Sequence, residues 1–290
     1  MKSVSLVLGS GGARGLAHIG VIHWLEEHGY QIQSISGCSM GALVGGIYAA
    51  GKLDEFENWV RAIRKIDIVT LLDLSWSKSG LVKGDKIINT LKDLVGDIKI
   101  DDLSMTYTAV AADVNEEKEV WINSGQMFDA IRASISLPMF FTPYLYNNAY
   151  LIDGGVLNPV PIAPTFSDKT DVTIAVNLGG KLILKDDEHH ESSVDVKSNN
   201  GINETITNYI NKLKGKMEHH QKIDWGAYDI ANQAFDAMQS TIARQKLATY
   251  PPDISIEIAR NACATLEFDR ADEMIELGYQ KAQQSLHGLK

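Results

Sequence analysis

Cysteine is scarce in this sequence, which has only Cys38 and Cys263 among its 290 residues. Two distant cysteines exclude a disulfide-stapled scaffold and suit a reducing compartment, so we expect a cytoplasmic protein. Long apolar runs are also missing, and none reaches the roughly 18 residues of a membrane-spanning helix. The apolar run at 4–8 is followed too soon by glycines and charged residues to be the core of a signal peptide.

Positive charge is in deficit as well, since the chain has a formal net charge of -10 at pH 7. This deficit excludes a basic surface for nucleic acid and gives no support to electrostatic attraction by anionic lipids. The hydrophobic fraction of 44% and the charged fraction of 22% are those of an ordinary globular protein. No calcium-binding loop is apparent in the sequence, so calcium is not implied, and we expect neither a cofactor nor a metal.

Apolar runs and amphipathic segments alternate along the chain. We predict strands at 4–8, 32–36, 106–112, 118–122, 149–152, 172–177 and 254–258, and helices at 15–28, 84–95, 126–134, 204–216, 226–248 and 269–286. This alternation favours an α/β fold with a mostly parallel sheet. The length suits one domain over 1–290, with a polar mobile loop at 180–204 and, over 205–290, C-terminal helices and one strand packed on the same domain.

A Gly-x-Ser-x-Gly motif is formed by Gly37, Ser39 and Gly41. Glycines on both sides permit a sharp turn between a strand and a helix, and they leave the serine hydroxyl accessible as a nucleophile. The motif alone is weak, because ordinary residue usage produces one by chance in about one chain of this length in ten. Cys38 is a rival nucleophile, but the flanking glycines are centred on Ser39.

A second glycine-rich segment, from Gly9 to Gly15, ends the first predicted strand and leads directly into a helix. The free N–H groups and the helix dipole at such a junction can hold an anion, either a phosphate or the oxyanion of an acyl-transfer intermediate. Arg14 stands where a dinucleotide-binding motif needs its third glycine, and no acidic residue ends the second strand. From the residues alone, an oxyanion hole, a phosphate site and a purely structural turn all stay open.

A serine nucleophile needs a general base, and the sequence offers eight histidines as well as carboxylates. No histidine follows a strand in a glycine-tight turn, and the pairs His189–His190 and His219–His220 lack the neighbours of a metal site. Asp153 fits better, because it ends a short apolar strand and precedes Gly154 and Gly155. An isolated Asp-Gly-Gly is usually only a turn. It indicates a catalytic base here because the same chain also contains the glycine loop and the serine motif.

Taken together, the three motifs resemble those of the patatin-like phospholipases. Their order is the same: a glycine loop with Arg14, the Gly-x-Ser-x-Gly around Ser39, and the Asp-Gly-Gly at Asp153. The segments at 130–143 and 153–161 resemble the central block of the family, and 266–279 resembles the tail of its compact bacterial members. The resemblance covers nearly the whole chain and implies a three-layer α/β/α fold with a mostly parallel central sheet.

The resemblance also implies an activity, that of a lipid acyl hydrolase with a Ser39–Asp153 dyad and no histidine. Its substrates would be phospholipid or lysophospholipid esters, reached by transient contact with a membrane surface. The apolar stretch near 67–84 would either pack in the core or line an acyl pocket. The alternative is a regulatory or interaction protein that keeps the fold and has only weak esterase activity.

Roles for the glycine loop follow from the same resemblance. The N–H groups of Gly11, Gly12 and Ala13 would form the oxyanion hole. Arg14 would order the loop, bind the substrate through its phosphate, or simply pair with a local carboxylate. Many family members have three consecutive glycines where this chain has Ser10-Gly11-Gly12, and we expect the small Ser10 to permit the turn. The other motif glycines are Gly9, Gly15, Gly37, Gly41, Gly154 and Gly155.

Overall fold

A mixed sheet organises the structure, a computed structural model that describes residues 1–71, 82–182 and 227–287. The strands of these residues are β1 (Lys2–Leu8), β2 (Tyr30–Cys38), β3 (Thr106–Asp113), β4 (Lys118–Ile122), β5 (Tyr144–Tyr146), β6 (Ala149–Asp153), β7 (Val172–Gly180) and β8 (Ile254–Ala259). The α-helices are α1 (Ala17–Glu27), α2 (Met40–Ala49), α3 (Leu53–Ala62), α4 (Lys65–Leu71), α5 (Asp85–Val95), α6 (Met127–Ser134), α7 (Ala227–Thr249) and α8 (Ala271–Leu286).

The strands are arranged in the order β5-β6-β3-β2-β1-β7-β8, and β4 pairs with β3. The central pairs, from β3 through β2, β1 and β7 to β8, are all parallel. The antiparallel pairs gather at one end, where β4 and β6 flank β3 and β5 flanks β6. The carboxyl ends of β1 and β2 therefore lie side by side, as do the loops that follow them.

Both faces of the sheet are covered. Leu6 and Leu8 of β1 belong to the larger core, whereas Val7 packs in a second cluster with Ala243 of α7. Because successive side chains of a strand point to opposite faces, β1 is buried on both sides. The predicted three-layer arrangement with a mostly parallel sheet is confirmed.

The chain divides into two compact units, Met1–Ile183 with Phe235–Lys290, and Leu184–Ala234. Of the second unit only 227–234 are described, as the start of α7. Most of the predicted mobile loop at 180–204 and the predicted helix at 204–216 lie outside the described residues, and the single domain over 1–290 stays a prediction. Among the described residues no helix is long and apolar enough to cross a bilayer.

Candidate active site

Ser39 occupies a strained turn between β2 and α2, with φ 55 and ψ -123. This conformation is rare for a residue with a side chain, and it is typical of a nucleophile held at a sharp strand-to-helix turn. Both flanking glycines are needed for packing: a Cβ on Gly37 would overlap the carbonyl of Gly41, and a Cβ on Gly41 would overlap the carbonyl of Leu8. The backbone therefore sets the position of the serine.

The Ser39 amide is anchored by Ser134, a residue that sequence reasoning missed. Its N–H donates to Ser134 Oγ at 2.8 Å, and Ser134 Oγ–H in turn donates to the carbonyl of Val110 at 2.6 Å. Ser134 is fully buried at the end of α6, so it satisfies two backbone groups that water does not reach. Two residues later, just beyond α6, the carbonyl of Ser136 accepts the N–H of Asp153 at 2.9 Å.

Sheet register brings Asp153 to the serine turn. In the parallel pairing of β2 with β3, Cys38 lies opposite Val110, and in the antiparallel pairing of β6 with β3, Asp153 lies opposite Ala111. The other edge of β3 is occupied by β4 at the same residues. The two strands thus run toward each other along one edge of β3, and their ends meet beside Ser39.

The Asp153 carboxyl is fully buried, and burial raises its pKa from the usual 3.8 to about 6. Hydrogen bonding from the Ser39 hydroxyl, the Gly155 amide and the Cys38 thiol opposes burial and favours the carboxylate. Oδ1 accepts the Gly155 N–H at 2.7 Å and the Cys38 thiol at 3.8 Å. Oδ2 makes no well-formed hydrogen bond to any described residue.

Burial keeps both Cys38, the rival nucleophile, and His18 in their neutral forms. Burial, and then the negative charge of Asp153, holds the pKa of the Cys38 thiol well above its usual range, so the thiol stays protonated. Burial lowers the pKa of His18 to about 4, and one of its ring nitrogens lies 2.9 Å from the carbonyl of Gly9. His18 is therefore a neutral support beneath the glycine loop, a position that its place on a helix did not reveal.

The glycine loop follows β1, and two of its backbone N–H groups have no partner within the described parts of the chain. Neither the N–H of Gly11 nor that of Gly12 donates to another described residue, and Gly12 lines the same cavity as Ser39. Gly12 has φ 56, and a Cβ there would overlap Thr265. The third predicted donor is engaged elsewhere, because the Ala13 N–H donates to the carbonyl of Thr265 at 2.9 Å.

Arg14 points away from the cavity of Ser39. Its guanidinium donates to the carbonyl of Arg260 at 2.6 Å and lies 3.6 Å from the carboxylate of Asp236. Arg14 is buried and does not line the cavity that contains Ser39. The geometry favours a pairing with a local carboxylate over the predicted contact with a lipid phosphate.

An apolar cavity opens beside Ser39 and encloses about 820 Å³ of atom-free space, part of it open to solvent. Its walls come mostly from α2, α3, α5 and the loops at 135–141 and 265–268. Ile68 and Leu71 contribute to the lining, which supports the acyl-pocket interpretation for that part of 67–84, whereas 72–81 lies outside the described residues. Such a cavity suits an aliphatic chain with its reactive end at the serine.

Groups of three or more His, Cys, Asp or Glu placed to hold a metal ion are absent from the described ranges. The pairs His189–His190 and His219–His220 lie outside those ranges.

Sequence comparison with known proteins points to one family. Residues 6–166 match the model of the patatin-like phospholipases. An uncharacterized NTE family protein of Mycobacterium tuberculosis is 36% identical to this chain, covering 99% of the chain and 92% of the relative. The lysophospholipase NTE1 of Kluyveromyces lactis is 27% identical over 96% of this chain, which spans only 19% of that protein. Among solved structures, VipD from Legionella pneumophila covers 98% of this chain and 66% of its own, with a TM-score of 0.47 and 15% identity.

Proposed function

The chain belongs to the patatin-like phospholipase family, and we propose that it is a serine acyl hydrolase that cleaves carboxylic esters of phospholipids or lysophospholipids. Membership of this family supports an esterase activity on lipids. The observation that carries the finer proposal is the meeting of Ser39 with the buried carboxyl of Asp153 at the end of an apolar cavity.

In the proposed reaction, Ser39 Oγ attacks the ester carbonyl carbon while Asp153 accepts the hydroxyl proton. The bond to the alcohol then breaks, the proton passes to the leaving alkoxide oxygen, and the acyl group stays on Ser39. Water, with its proton taken by Asp153, attacks this acyl ester and releases the fatty acid. The proton returns to Ser39 Oγ, which restores the starting state.

In this scheme the glycine loop provides hydrogen-bond donors for the negative charge that develops on the substrate's carbonyl oxygen. The N–H groups of Gly11 and Gly12 stabilise the oxyanion of each tetrahedral intermediate, since both are without partners among the described residues. Ala13 is not part of the proposed donor set because its N–H already donates to the carbonyl of Thr265. Arg14 orders the loop through its contacts with Arg260 and Asp236.

The apolar cavity is proposed to receive an acyl chain. Its lining contains Phe56, Trp59 and Val60 on one side and Leu137 and Phe140 on another. Burying an aliphatic chain there contributes roughly 0.8 kcal/mol per methylene. The relatives named lysophospholipases point to single-chain substrates for this site as well.

A fluorophosphonate probe followed by peptide mapping tests the proposal. We expect stoichiometric labelling of Ser39 in the parent protein and no labelling of Ser39→Ala. The parent protein should release fatty acid from a lysophospholipid, whereas the labelled parent and Ser39→Ala should not. A folded protein that is neither labelled nor active would overturn the proposal and favour the alternative, an interaction protein on the same fold.

A further inference from the structure

A polar bridge joins the glycine loop to α7. The side-chain amide of Gln239 donates to Ser10 Oγ at 3.3 Å. Gln239 is 9% exposed, so this amide is nearly withdrawn from water, where an unpaired polar group is costly.

The bridge lies directly on the turn that carries Asp153. A Cβ on Gly155 would overlap the amide nitrogen of Gln239 and would stand 2.7 Å from Ser10 Oγ. The same point is 3.0 Å from Asp153 Oδ1. Three polar groups from three separate segments therefore converge on Gly155, and the absence of its side chain gives them room.

The backbone reinforces this contact from the other side. The N–H of Ser10 donates to the carbonyl of Pro159 at 2.8 Å, which ties the loop to the segment after Asp153. The Gly155 N–H is held by Asp153 Oδ1. The glycine loop and the Asp153 turn thus share one polar junction, which α7 closes through Gln239.

We infer that Ser10 and Gln239 form a coupled positioning pair that holds the oxyanion loop against the Asp153 turn. The inference rests on the proposed function. Neither side chain touches the substrate, and each acts through the backbone of Gly11 and Gly12. Gln239 lies beyond residues 6–166, which match the family model, and it contacts Ser10 within them.

A double-mutant cycle of Ser10→Gly, Gln239→Ala and the double variant tests the coupling. The readouts are kcat and KM for a short-chain ester and the rate constant for labelling of Ser39 by a fluorophosphonate. Loss of one neutral hydrogen bond should lower kcat and the labelling rate about 3- to 10-fold while KM stays within about 2-fold. The double variant should be no slower than the slower single variant.

Ser240→Ala is the matched control, because Ser240 is the next residue of α7, is 4% exposed and makes no hydrogen bond to the glycine loop among the described residues. It should retain the parental kcat. Should Gln239→Ala fail to fold, Ser10→Gly carries the test, since Ser10 has no positive φ and glycine fits its backbone.

Gln239→Glu tests whether this side chain lies close enough to Asp153 to act on the catalytic turn. A negative charge beside Asp153 should raise the apparent pKa of the activity profile by about one unit. Arg14, Asp236 and Arg260 line a small cavity together with Gln239, and these charged groups are unchanged in this variant.

Three results would overturn the inference: effects that multiply in the double variant, single variants as fast as the parent, or an unshifted profile in Gln239→Glu. An unlabelled parent protein would instead overturn the proposed function itself.

Discussion

The turn that carries Ser39 and the turn that carries Asp153 both follow a strand and both need glycine, yet they hold their side chains by different means. Ser39 has φ 55 and relies on Gly37 and Gly41 for close backbone packing. Asp153 has φ -51 and ψ 126, an ordinary conformation, and what is unusual is its complete burial. Backbone geometry defines the nucleophile, whereas the environment defines the base.

This difference predicts which kind of change damages each half of the site. A substitution that alters backbone packing should act through the serine turn. A substitution that alters charge should act through Asp153, with effects that depend on pH. Four predictions test the contrast.

Loss of either reacting group should give the largest effect. Ser39→Ala and Asp153→Asn should each lower kcat/KM for a short-chain ester by at least about 10³-fold, because nucleophile and base act as a unit. Ser5→Ala is the control, since Ser5 is a buried serine of β1 whose hydroxyl bonds Asp168 and Thr170 and no other described residue. Parental activity in either site variant would break the assignment.

Crowding the serine turn should cost the most stability. Gly41→Ala should lower the free energy of unfolding by about 3 kcal/mol, because the new Cβ overlaps the carbonyl of Leu8 and the backbone must move. Gly51 has open space around it and a φ of 68, so Gly51→Ala should lower the free energy of unfolding by only about 1 kcal/mol. Urea denaturation measures both, and equal losses would remove the packing argument.

Removing the buried charge should stabilise the protein, but only at higher pH. The folded pKa of Asp153 is raised from 3.8 to about 6, so the folded state holds the proton more tightly and stability falls as pH rises through that window. Asp153→Asn should therefore be more stable than the parent by about 1–3 kcal/mol at pH 8 and nearly equal at pH 4. A stability gain independent of pH would contradict burial of the charge as the cause.

Relief of strain at position 39 should give the smallest effect. Ser39→Gly should be more stable than Ser39→Ala by about 1 kcal/mol, because glycine adopts φ 55 without penalty. At Ser240, in the interior of α7, the order should reverse, since alanine favours a helix over glycine by about 1 kcal/mol. Thermal unfolding of the four variants decides whether strain is stored at the serine turn.

Local patterns predict much of the fold. Apolar runs locate β1 and β2, although the strands extend beyond them, to Lys2–Leu8 and Tyr30–Cys38, because pairing with neighbours continues through polar residues. The glycines around Ser39 identify the serine turn for the same local reason. Sequence periodicity cannot say that β2 and β6 meet end to end on β3, since that depends on register between distant segments.

The contacts of Arg14 and His18 also could not be predicted from local sequence patterns. Arg14 follows the glycine loop in sequence, but its partners Asp236 and Arg260 are more than two hundred residues away, so its direction depends on tertiary packing. His18 looks like a helix-face residue until α1 is placed beneath the loop. Ser134 and Gln239 lack any local motif that marks them as neighbours of the site.

The most direct test of the central claim is the pH dependence of fluorophosphonate labelling, mapped to the modified residue, in the parent and in Asp153→Asn. If Asp153 activates Ser39, the parental labelling rate should rise through an apparent pKa of about 6 and then level off, while the variant reacts slowly at every pH. Labelling of Ser39 at the same rate in both proteins, or modification of Cys38 instead, would contradict the account.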